Sequence, residues 1–177
     1  MVKMEYNTFR QNLKRYTLLS YRFIMQPKPQ VILYTDGSCK GNPGPGGWAF
    51  VLEHPKSGKI LERFGSEPDT TNNRMELLAV IEGLKALTKP SNVTLVCDSK
   101  YVLQGLEDWM PNWKKNGWRR KEGNSFKPVK NADLWQELDG LASLHELTFQ
   151  HVMGHTGHHF NERCDKLAGL AAMGESR

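Results

Sequence analysis

The stretch VILYTDGSCKGNPGPGGWAFVLE, residues 31–53, decides the fold. An apolar run ends at Asp36, a segment with five glycines and two prolines follows, and a second apolar run occupies 47–52. Two apolar runs separated by Gly and Pro are typical of paired antiparallel strands. A carboxylate at the end of a buried strand is costly unless something pairs with it. The carboxylate of Asp36 therefore indicates a functional site at this point of the sheet.

The sequence just after this stretch predicts one more strand and then a helix. The strand covers 58–66 and completes an antiparallel meander. The helix lies within TTNNRMELLAVIEGLKALTK, residues 70–89, with Thr71 or Asn72 as its cap. Apolar residues at helical spacing predict its core stripe: Leu77, Ile81 and Leu84.

The second half of the chain alternates strands and helices. It predicts strands at 92–98 and 145–153. It also predicts three helices: one that begins after a Ser99 cap, one over 131–144 and one over 160–173. This order favours parallel strands joined by right-handed crossovers. The predicted fold class is α/β, with a five-stranded mixed sheet (three antiparallel strands, then two parallel) flanked by helices.

Length and composition fit one globular domain. The 177 residues are 38% hydrophobic and 24% charged, and no apolar run approaches the roughly 18 residues that span a bilayer. The three cysteines form no CxxC pair, which argues against a disulfide framework or zinc ribbon. We therefore expect a reducing, cytoplasmic compartment, no membrane association and a monomer.

The formal charge of +5 is concentrated in two places. Residues 1–30 carry six Lys/Arg and one acid, and residues 112–130 carry seven Lys/Arg and one acid. The rest of the body is acidic. This pattern predicts a polyanion partner and an acidic centre that needs cations.

We expect two regions: a basic, loosely ordered extension over 1–29 and the main globular domain over 30–177. The extension ends in QPKPQ, which reads as a linker, and Met25 is an alternative start. Tyr6, Phe9, Leu13 and Tyr16 recur as one face of a helix would, a face that can dock on the body or on a membrane surface. We predict that removal of residues 1–26 leaves the activity of the body intact.

Four carboxylates fall at the ends of predicted elements. Asp36 and Asp98 end strands, Glu76 lies in the first turn of its helix, and Asp165 lies in the first turns of the last helix. Taken singly, each has an ordinary explanation as a turn former, a cap or a partner of the helix dipole. If the strands that carry Asp36 and Asp98 are neighbours, the two carboxylates lie a few Å apart. Their repulsion then raises the pKa of one of them strongly, or a cation must lie between them. Oxygen ligands alone favour Mg²⁺ or Mn²⁺ over zinc.

Six motifs occur in the order in which they stand in a known family: YTDGSCKGNPGPGGWAF, TTNNRMEL, CDSKYV, WMPNWKKNGWRRK, KPVKNADLWQELD and GHTGHHFNERCDKLA. Over roughly residues 30–173 the chain resembles bacterial type 1 ribonuclease H. The resemblance implies magnesium-dependent cleavage of the RNA strand in RNA–DNA hybrids, leaving 5′-phosphate and 3′-hydroxyl ends. It implies two metal ions held by Asp36, Glu76, Asp98 and Asp165, and a catalytic His155.

The resemblance also implies contacts with the hybrid. Cys39 and Asn42 fall where backbone groups meet ribose 2′-hydroxyls, which mark RNA, and Asn72, Asn73 and Gln104 fall at minor-groove positions. Asn72 can instead only cap its helix. The family's basic handle, which grips the DNA strand, falls on Trp109, Trp113, Lys114, Lys115, Trp118, Arg119, Arg120 and Lys121. Without the resemblance, residues 109–121 read equally well as a plain amphipathic helix with a solvated charged face.

Two other functions stay open at this point. One is another nuclease on the same fold, although exonucleases of this type place an acid two residues after the first Asp, where this chain has Ser38. The other is a hybrid-binding module without catalysis, which a missing carboxylate would signal. The histidines 155, 158 and 159 have mixed spacing and no nearby Cys, which does not favour a zinc site.

Overall fold

The computed structural model describes residues 27–154 and 157–175. Almost all of the predicted extension therefore lies outside the described residues, and its order remains a prediction. The strands of the main sheet are β1 Gln30–Cys39, β2 Gly44–His54, β3 Lys59–Thr70, β4 Asn92–Cys97 and β7 Glu146–His151. A small hairpin consists of β5 Arg119–Glu122 and β6 Ser125–Pro128. The helices are α1 Asn72–Lys85, α2 Lys100–Gln104, α3 Met110–Lys115, α4 Ala132–Ala142 and α5 His159–Ala171, with a π-helical turn at Gly105–Trp109 between α2 and α3.

The main sheet has the predicted topology. Its order is β3-β2-β1-β4-β7, with β1, β2 and β3 antiparallel and with β4 and β7 parallel to β1. The parallel pairing of β1 with β4 runs from Gln30 opposite Asn92 to Tyr34 opposite Val96. Each parallel step passes through helical segments, as crossover connections require. The predicted α/β mixed sheet is confirmed.

Alternation along the strands builds a core on each face of the sheet. Leu33 and Phe50 point to one face, where α1 and α4 pack and Leu77 and Trp135 are fully buried. The other face carries a smaller cluster, which α5 covers through residues such as Leu167. The predicted stripe of α1 is buried, and so are the neighbouring Met75, Ala79 and Val80, because α1 lies between the sheet and α4.

The segment after β4 differs from the simplest prediction. Ser99 caps α2 as expected, since its hydroxyl accepts a hydrogen bond from the Val102 amide at 3.4 Å. However, the helical path ends at Lys115, and the chain then turns through Gly117 and Trp118, both at positive φ, into the hairpin. A continuous amphipathic helix over 109–121 is therefore wrong. The apolar spacing of the tryptophans carries no signal for this turn.

Candidate active site

Asp36 lies inside β1 rather than at its end. The strand continues to Cys39, and Asp36 stands opposite Ala49 of β2. The strand-end prediction for Asp36 was therefore wrong, because β2 continues to pair with β1 after the pairing of β1 with β4 has stopped. Asp98 follows β4 directly, as predicted. Both side chains thus lie where the β1–β4 ladder stops, at the carboxyl edge of two parallel neighbours.

Glu76 reaches the same place because α1 packs directly on the backbone of β1. A Cβ on Gly37 would lie 2.3 Å from the Glu76 amide nitrogen and 2.5 Å from the Met75 carbonyl carbon. Only glycine fits at position 37, since side-chain atoms do not approach backbone that closely. The glycine that follows Asp36 therefore brings the second carboxylate to the first.

Asp36, Glu76 and Asp98, called here the acid centre, each place one carboxylate oxygen within 4.8 Å of the others. Asp36 is 7% exposed and Glu76 6% exposed. Carboxylates so close and so buried repel one another unless protons or a cation lie between them. In the part of the chain that the structure describes, this is the one group of His, Cys, Asp and Glu side chains with metal-binding geometry.

Burial and mutual repulsion shift the titration of the acid centre. Burial, followed by the charges of Asp98 and Asp165, raises the pKa of Asp36 to about 8. Burial, followed by the charges of Asp36 and Asp98, raises the pKa of Glu76 well above its usual range. Without a counterion these two groups resist ionisation at neutral pH. The centre is therefore built to lose protons when a cation binds.

The two oxygens of Glu76 have different surroundings. The Asn72 side-chain amide donates a hydrogen bond to Oε1 at 3.5 Å. Oε2 is buried, and no described residue donates a hydrogen bond to it. A buried acceptor without a donor is unusual in a folded protein. It is what an acidic metal-binding site presents before the cation is added, so the residues present fit a divalent cation.

Asp165 approaches the centre from the opposite face of the sheet. It lies on α5, forms a side-chain hydrogen bond with Asp36 and adds to the rise in that residue's pKa. Helix α5 sits close to β2, since a Cβ on Gly47 would lie 2.2 Å from the Ala168 carbonyl oxygen. Asp165 is thus joined to the centre through Asp36 and is not a member of the three-residue cluster.

His155 lies outside the described residues, so its placement remains a prediction. One described end of its loop, Gly154, is close to the acid centre, and the other, Gly157, is held by α5. A Cβ on Gly154 would lie 2.7 Å from Asp98 Oδ2, and the Gly157 amide donates to Glu162 Oε1 at 2.9 Å.

The predicted RNA-contact residues of the β1–β2 loop and α1 lie together. Asn42 Oδ1 accepts a hydrogen bond from the Asn72 backbone amide at 3.0 Å, and Cys39 Sγ lies 3.4 Å from the Thr70 carbonyl oxygen. Thr71 occupies the N-cap position, as one of the two predicted alternatives, but its side chain makes no cap hydrogen bond. The Asn42 side chain supplies the acceptor for the first helical amide instead. Asn73 is exposed beside them.

The glycines of this loop serve the protein's own packing. Besides Gly37 and Gly47, a Cβ on Gly44 would lie 2.0 Å from the Lys40 carbonyl oxygen, and one on Gly46 would lie 2.4 Å from a Thr70 methyl group. The expectation that the bare loop admits a nucleic-acid backbone does not apply to these four positions. Gly41 is the one glycine of this loop with a positive φ, +94°, and Asn42 follows it at +25°.

The tryptophans of the predicted handle belong to an aromatic cluster. Trp113 packs between Trp109 and Trp135, with ring centroids 5.7 and 5.4 Å away, and Tyr101 packs on Trp109 and Trp135. The Tyr101 hydroxyl accepts a hydrogen bond from Trp135 Nε1 at 3.0 Å. Trp118 is half-buried beside the same core. The cluster holds α3 on α4, and its rings are partly at the surface except that of Trp135, which is fully buried.

The basic side chains divide into two groups. Lys114 Nζ is 2.7 Å from Asp139 Oδ1, and Arg119 Nη2 donates to the Phe126 carbonyl oxygen at 2.7 Å, so both hold the protein itself. Lys115, Arg120 and Lys121 are exposed, although Arg120 lies 3.4 Å from Glu122. Gln104 is exposed on α2.

A groove of about 380 Å³ joins the aromatic cluster to the hairpin. It is lined by Tyr101, Trp109, Trp113, Arg120, Lys121, Val129 and Lys130. Tyr101 and Lys130 were not predicted as binding residues. Lys130 could have been predicted, because it belongs to the basic tract 112–130. Tyr101 could not, because its position depends on the packing of α2 against α4.

The mixed sheet with buried carboxylates at its carboxyl edge defines an α/β protein with an acidic cation site. A sequence profile described as RNase H matches residues 28–173. The chain is 59% identical over 141 residues to Ribonuclease H of Rhodopirellula baltica, covering 80% of this chain and 89% of that protein. It is 53% identical over 151 residues to Ribonuclease HI of Pseudomonas aeruginosa, covering 84% and 99%. The chain belongs to the RNase H family.

Solved structures agree with this assignment. LC9-RNase H1, described as a type 1 RNase H with the type 2 active-site motif, has a TM-score of 0.73 and 37% identity, covering 85% of this chain and 75% of that one. The family is metal-dependent, and the acid centre can bind a metal. Among the described residues, no helix is both long and apolar enough to cross a bilayer.

Proposed function

We propose that this protein hydrolyses the RNA strand of RNA–DNA hybrids as an endonuclease, leaving 5′-phosphate and 3′-hydroxyl ends. The observation that carries the proposal is the acid centre, with two buried carboxylates of raised pKa and an oxygen, Glu76 Oε2, that has no hydrogen-bond partner among the described residues. A structural role leaves this costly cluster unexplained. The names of the curated relatives, ribonuclease H and ribonuclease HI, support the same activity.

Asp36, Glu76, Asp98 and Asp165 would hold Mg²⁺ or, as a substitute, Mn²⁺. When bound, one or two such ions supply an activated water and stabilise the leaving oxygen of a phosphodiester. The protein's own part is to keep the carboxylates in position. Asn72 holds Oε1 of Glu76, and Gly37 fixes the start of α1, so Oε2 is left to face the cation.

His155 is proposed as the group that handles the proton at the leaving 3′-oxygen. An imidazole with a pKa near neutrality can give and accept a proton at cellular pH. Its loop is flanked by Gly154, which lies against the Asp98 carboxylate. The position of that flanking residue is consistent with this role.

The two strands of the hybrid would lie on different surfaces. The RNA strand would pass over the surface formed by Cys39, Asn42, Asn72, Asn73 and Gln104, where polar groups can meet 2′-hydroxyls. The DNA strand would lie along the aromatic and basic groove. Arg120, Lys121 and Lys130 would neutralise phosphates there without reading sequence.

One cleavage assay tests the function. An end-labelled RNA–DNA hybrid, an RNA duplex and a DNA duplex are each incubated with the full chain in Mg²⁺, in Mn²⁺ and in EDTA. We expect cleavage of the hybrid alone, in the RNA strand, with internal products and no activity in EDTA. Product ends are identified by ligation and by phosphatase treatment.

Asp36→Asn, with a carboxamide of equal size, is the matched control. Loss of cleavage in this variant with retained hybrid binding places the chemistry at the acid centre. Stepwise shortening from one end would instead indicate an exonuclease, and binding without cleavage in every metal would leave only a hybrid-binding module. Either result contradicts the proposal.

A further inference from the structure

An apolar groove lies at the opposite end of the sheet from the acid centre. It has a volume of about 660 Å³ and lies between the start of β1, the β2–β3 turn and the end of α1. We call it the basal groove, and its apolar lining is Pro29, Val31, Leu52, Ile60, Leu61 and Leu87. Val31 precedes Asp36 by five residues, roughly 16 Å along the strand.

The basal groove exposes side chains that are normally covered. Ile60 is 53% exposed and Leu61 38% exposed, and they are adjacent in β3. They are two of the six large apolar residues exposed in the described part of the chain, and the other four do not line this groove. Because successive side chains of a strand point to opposite faces, Leu61 lies on the same face as its partner Leu52 and α1, and Ile60 points to the other face. An exposed leucine beside an apolar concave surface is typical of a docking site.

The chain itself enters at the wall of this groove. Pro29 lines it, and residues 28 and 29 are fixed to the body. Lys28 Nζ lies 2.8 Å from Glu146 Oε1, and the Pro29 carbonyl oxygen accepts a hydrogen bond from the Asn92 amide at 2.9 Å. Residues 1–26, outside the described part of the chain, are therefore joined to the body beside the groove.

The sequence of residues 1–26 offers a complementary face. Tyr6, Phe9, Leu13 and Tyr16 are spaced by three and four residues, and Leu19 and Phe23 continue the pattern. Arg10, Lys14 and Arg15 fall outside that stripe. A helix with this pattern has one apolar side and one basic side. Such a short helix is stable in water only when its apolar side packs against another surface.

We propose that residues 5–16 bind as a helix in the basal groove of the same molecule, with their aromatic stripe against Leu61 and Leu87. The short connection holds the segment at an effective concentration on the order of millimolar, so even a weak apolar contact is populated. The groove is lined by two lysines, Lys59 and Lys89, and by one acid, Glu53, so it offers a basic segment little net attraction. Burial of apolar surface is therefore the main driving force for the docking.

A double-mutant cycle in the full chain tests the contact. The variants are Leu13→Ala, Leu61→Ala and the two combined, and the measurement is the melting temperature in EDTA. We expect each single change to lower it by about 2–4 °C, and the combined change to lower it by clearly less than the sum. Leu144→Ala, which truncates another exposed leucine, is the matched control and should be additive with Leu13→Ala.

Hydrogen exchange gives a second measurement that does not depend on melting. In the full chain, amides of 52–61 and 84–89 should exchange more slowly than in Phe9→Ser/Leu13→Ser, while those of α5 should be unchanged. The difference should persist at 0.5 M salt. Hybrid cleavage should be the same in both proteins, because the groove is remote from the acid centre.

Three results overturn the proposal. Additive effects of Leu13→Ala and Leu61→Ala would show that the two residues do not touch. Equal exchange of the groove in the two proteins would show that it is not covered by this segment. Protection that disappears on hundredfold dilution would show that a second copy of the chain supplies the segment.

Discussion

Asp36 and Glu76 in the acid centre are 7% and 6% exposed, whereas every residue of the β5–β6 hairpin is exposed. Backbone packing fixes the first region, since Gly37 leaves no space between β1 and α1. The second region is a hairpin with cationic side chains in water. Charge in a buried site acts over short distances with little screening, whereas exposed charge is screened by salt. Single changes should therefore have large effects in the acid centre and small, salt-dependent effects in the hairpin.

The largest expected effect comes from Asp98→Asn. Cleavage should fall by roughly 10³-fold or more, the scale on which a lost electrostatic group at a reaction centre acts. In EDTA the same change should stabilise the protein by about 1–3 kcal/mol, because it removes a charge that helps to raise the pKa of Asp36. Single-turnover cleavage and thermal melts measure the two effects. A variant less stable than the parent in EDTA would contradict the repulsion argument.

The pH dependence of stability should report the same repulsion. The pKa of Asp36 is about 8 in the folded protein, above its ordinary value of 3.8. A raised folded pKa contributes stability that is fully present below the unfolded value and is lost as pH rises through the folded value. In EDTA the melting temperature should therefore fall between pH 5 and pH 8.5 more steeply than in Asp36→Asn. Saturating Mg²⁺ should reduce the slope, and equal slopes for parent and variant would refute the assignment.

Gly37→Ala tests how the acid centre is positioned. Its Cβ would overlap the backbone of Met75 and Glu76, so α1 must move. We expect a loss of about 1–3 kcal/mol in the free energy of unfolding and a greater loss of cleavage than of hybrid binding. Gly140→Ala is the control, because this exposed position in α4 has nothing within 4 Å of the new methyl group. It should be neutral or slightly stabilising. A harmless Gly37→Ala would show that the close approach is not required.

The smallest expected effect is at the hairpin. Arg120→Ala/Lys121→Ala should weaken hybrid binding about tenfold at low salt and leave the single-turnover rate at saturation nearly unchanged. Loss of two phosphate contacts should lower the slope of log affinity against log salt by about two. Arg119 is left in place because it holds the Phe126 carbonyl oxygen. Lys56→Ala/Lys89→Ala, which removes two exposed cations elsewhere, is the control. An unchanged slope would show that the hairpin does not face phosphate.

The sequence determined the layout of the sheet and the three residues of the acid centre. The strands and α1 could be predicted because alternation and helical spacing are local, and burial follows them directly. The choice of Asp36, Glu76 and Asp98 came from carboxylates at element boundaries together with the family motifs. Asp165 beside Asp36 agrees with that choice. The role of His155 and the order of residues 1–26 remain predictions.

Tertiary structure alone decided features that depend on contacts between distant segments. Asp36 lies within β1 because β2 pairs beyond the end of the β4 ladder, and Asn42 caps α1 from 30 residues away. The hairpin forms where Gly117 and Trp118 turn the chain back, although the tryptophan spacing resembled a helix. Gly37 and Gly47 are required because the backbones of α1 and α5 pack directly against them. This close packing cannot be predicted from the local sequence pattern. Local pattern fixes which residues are buried, but the neighbours they meet are set only when the elements pack together.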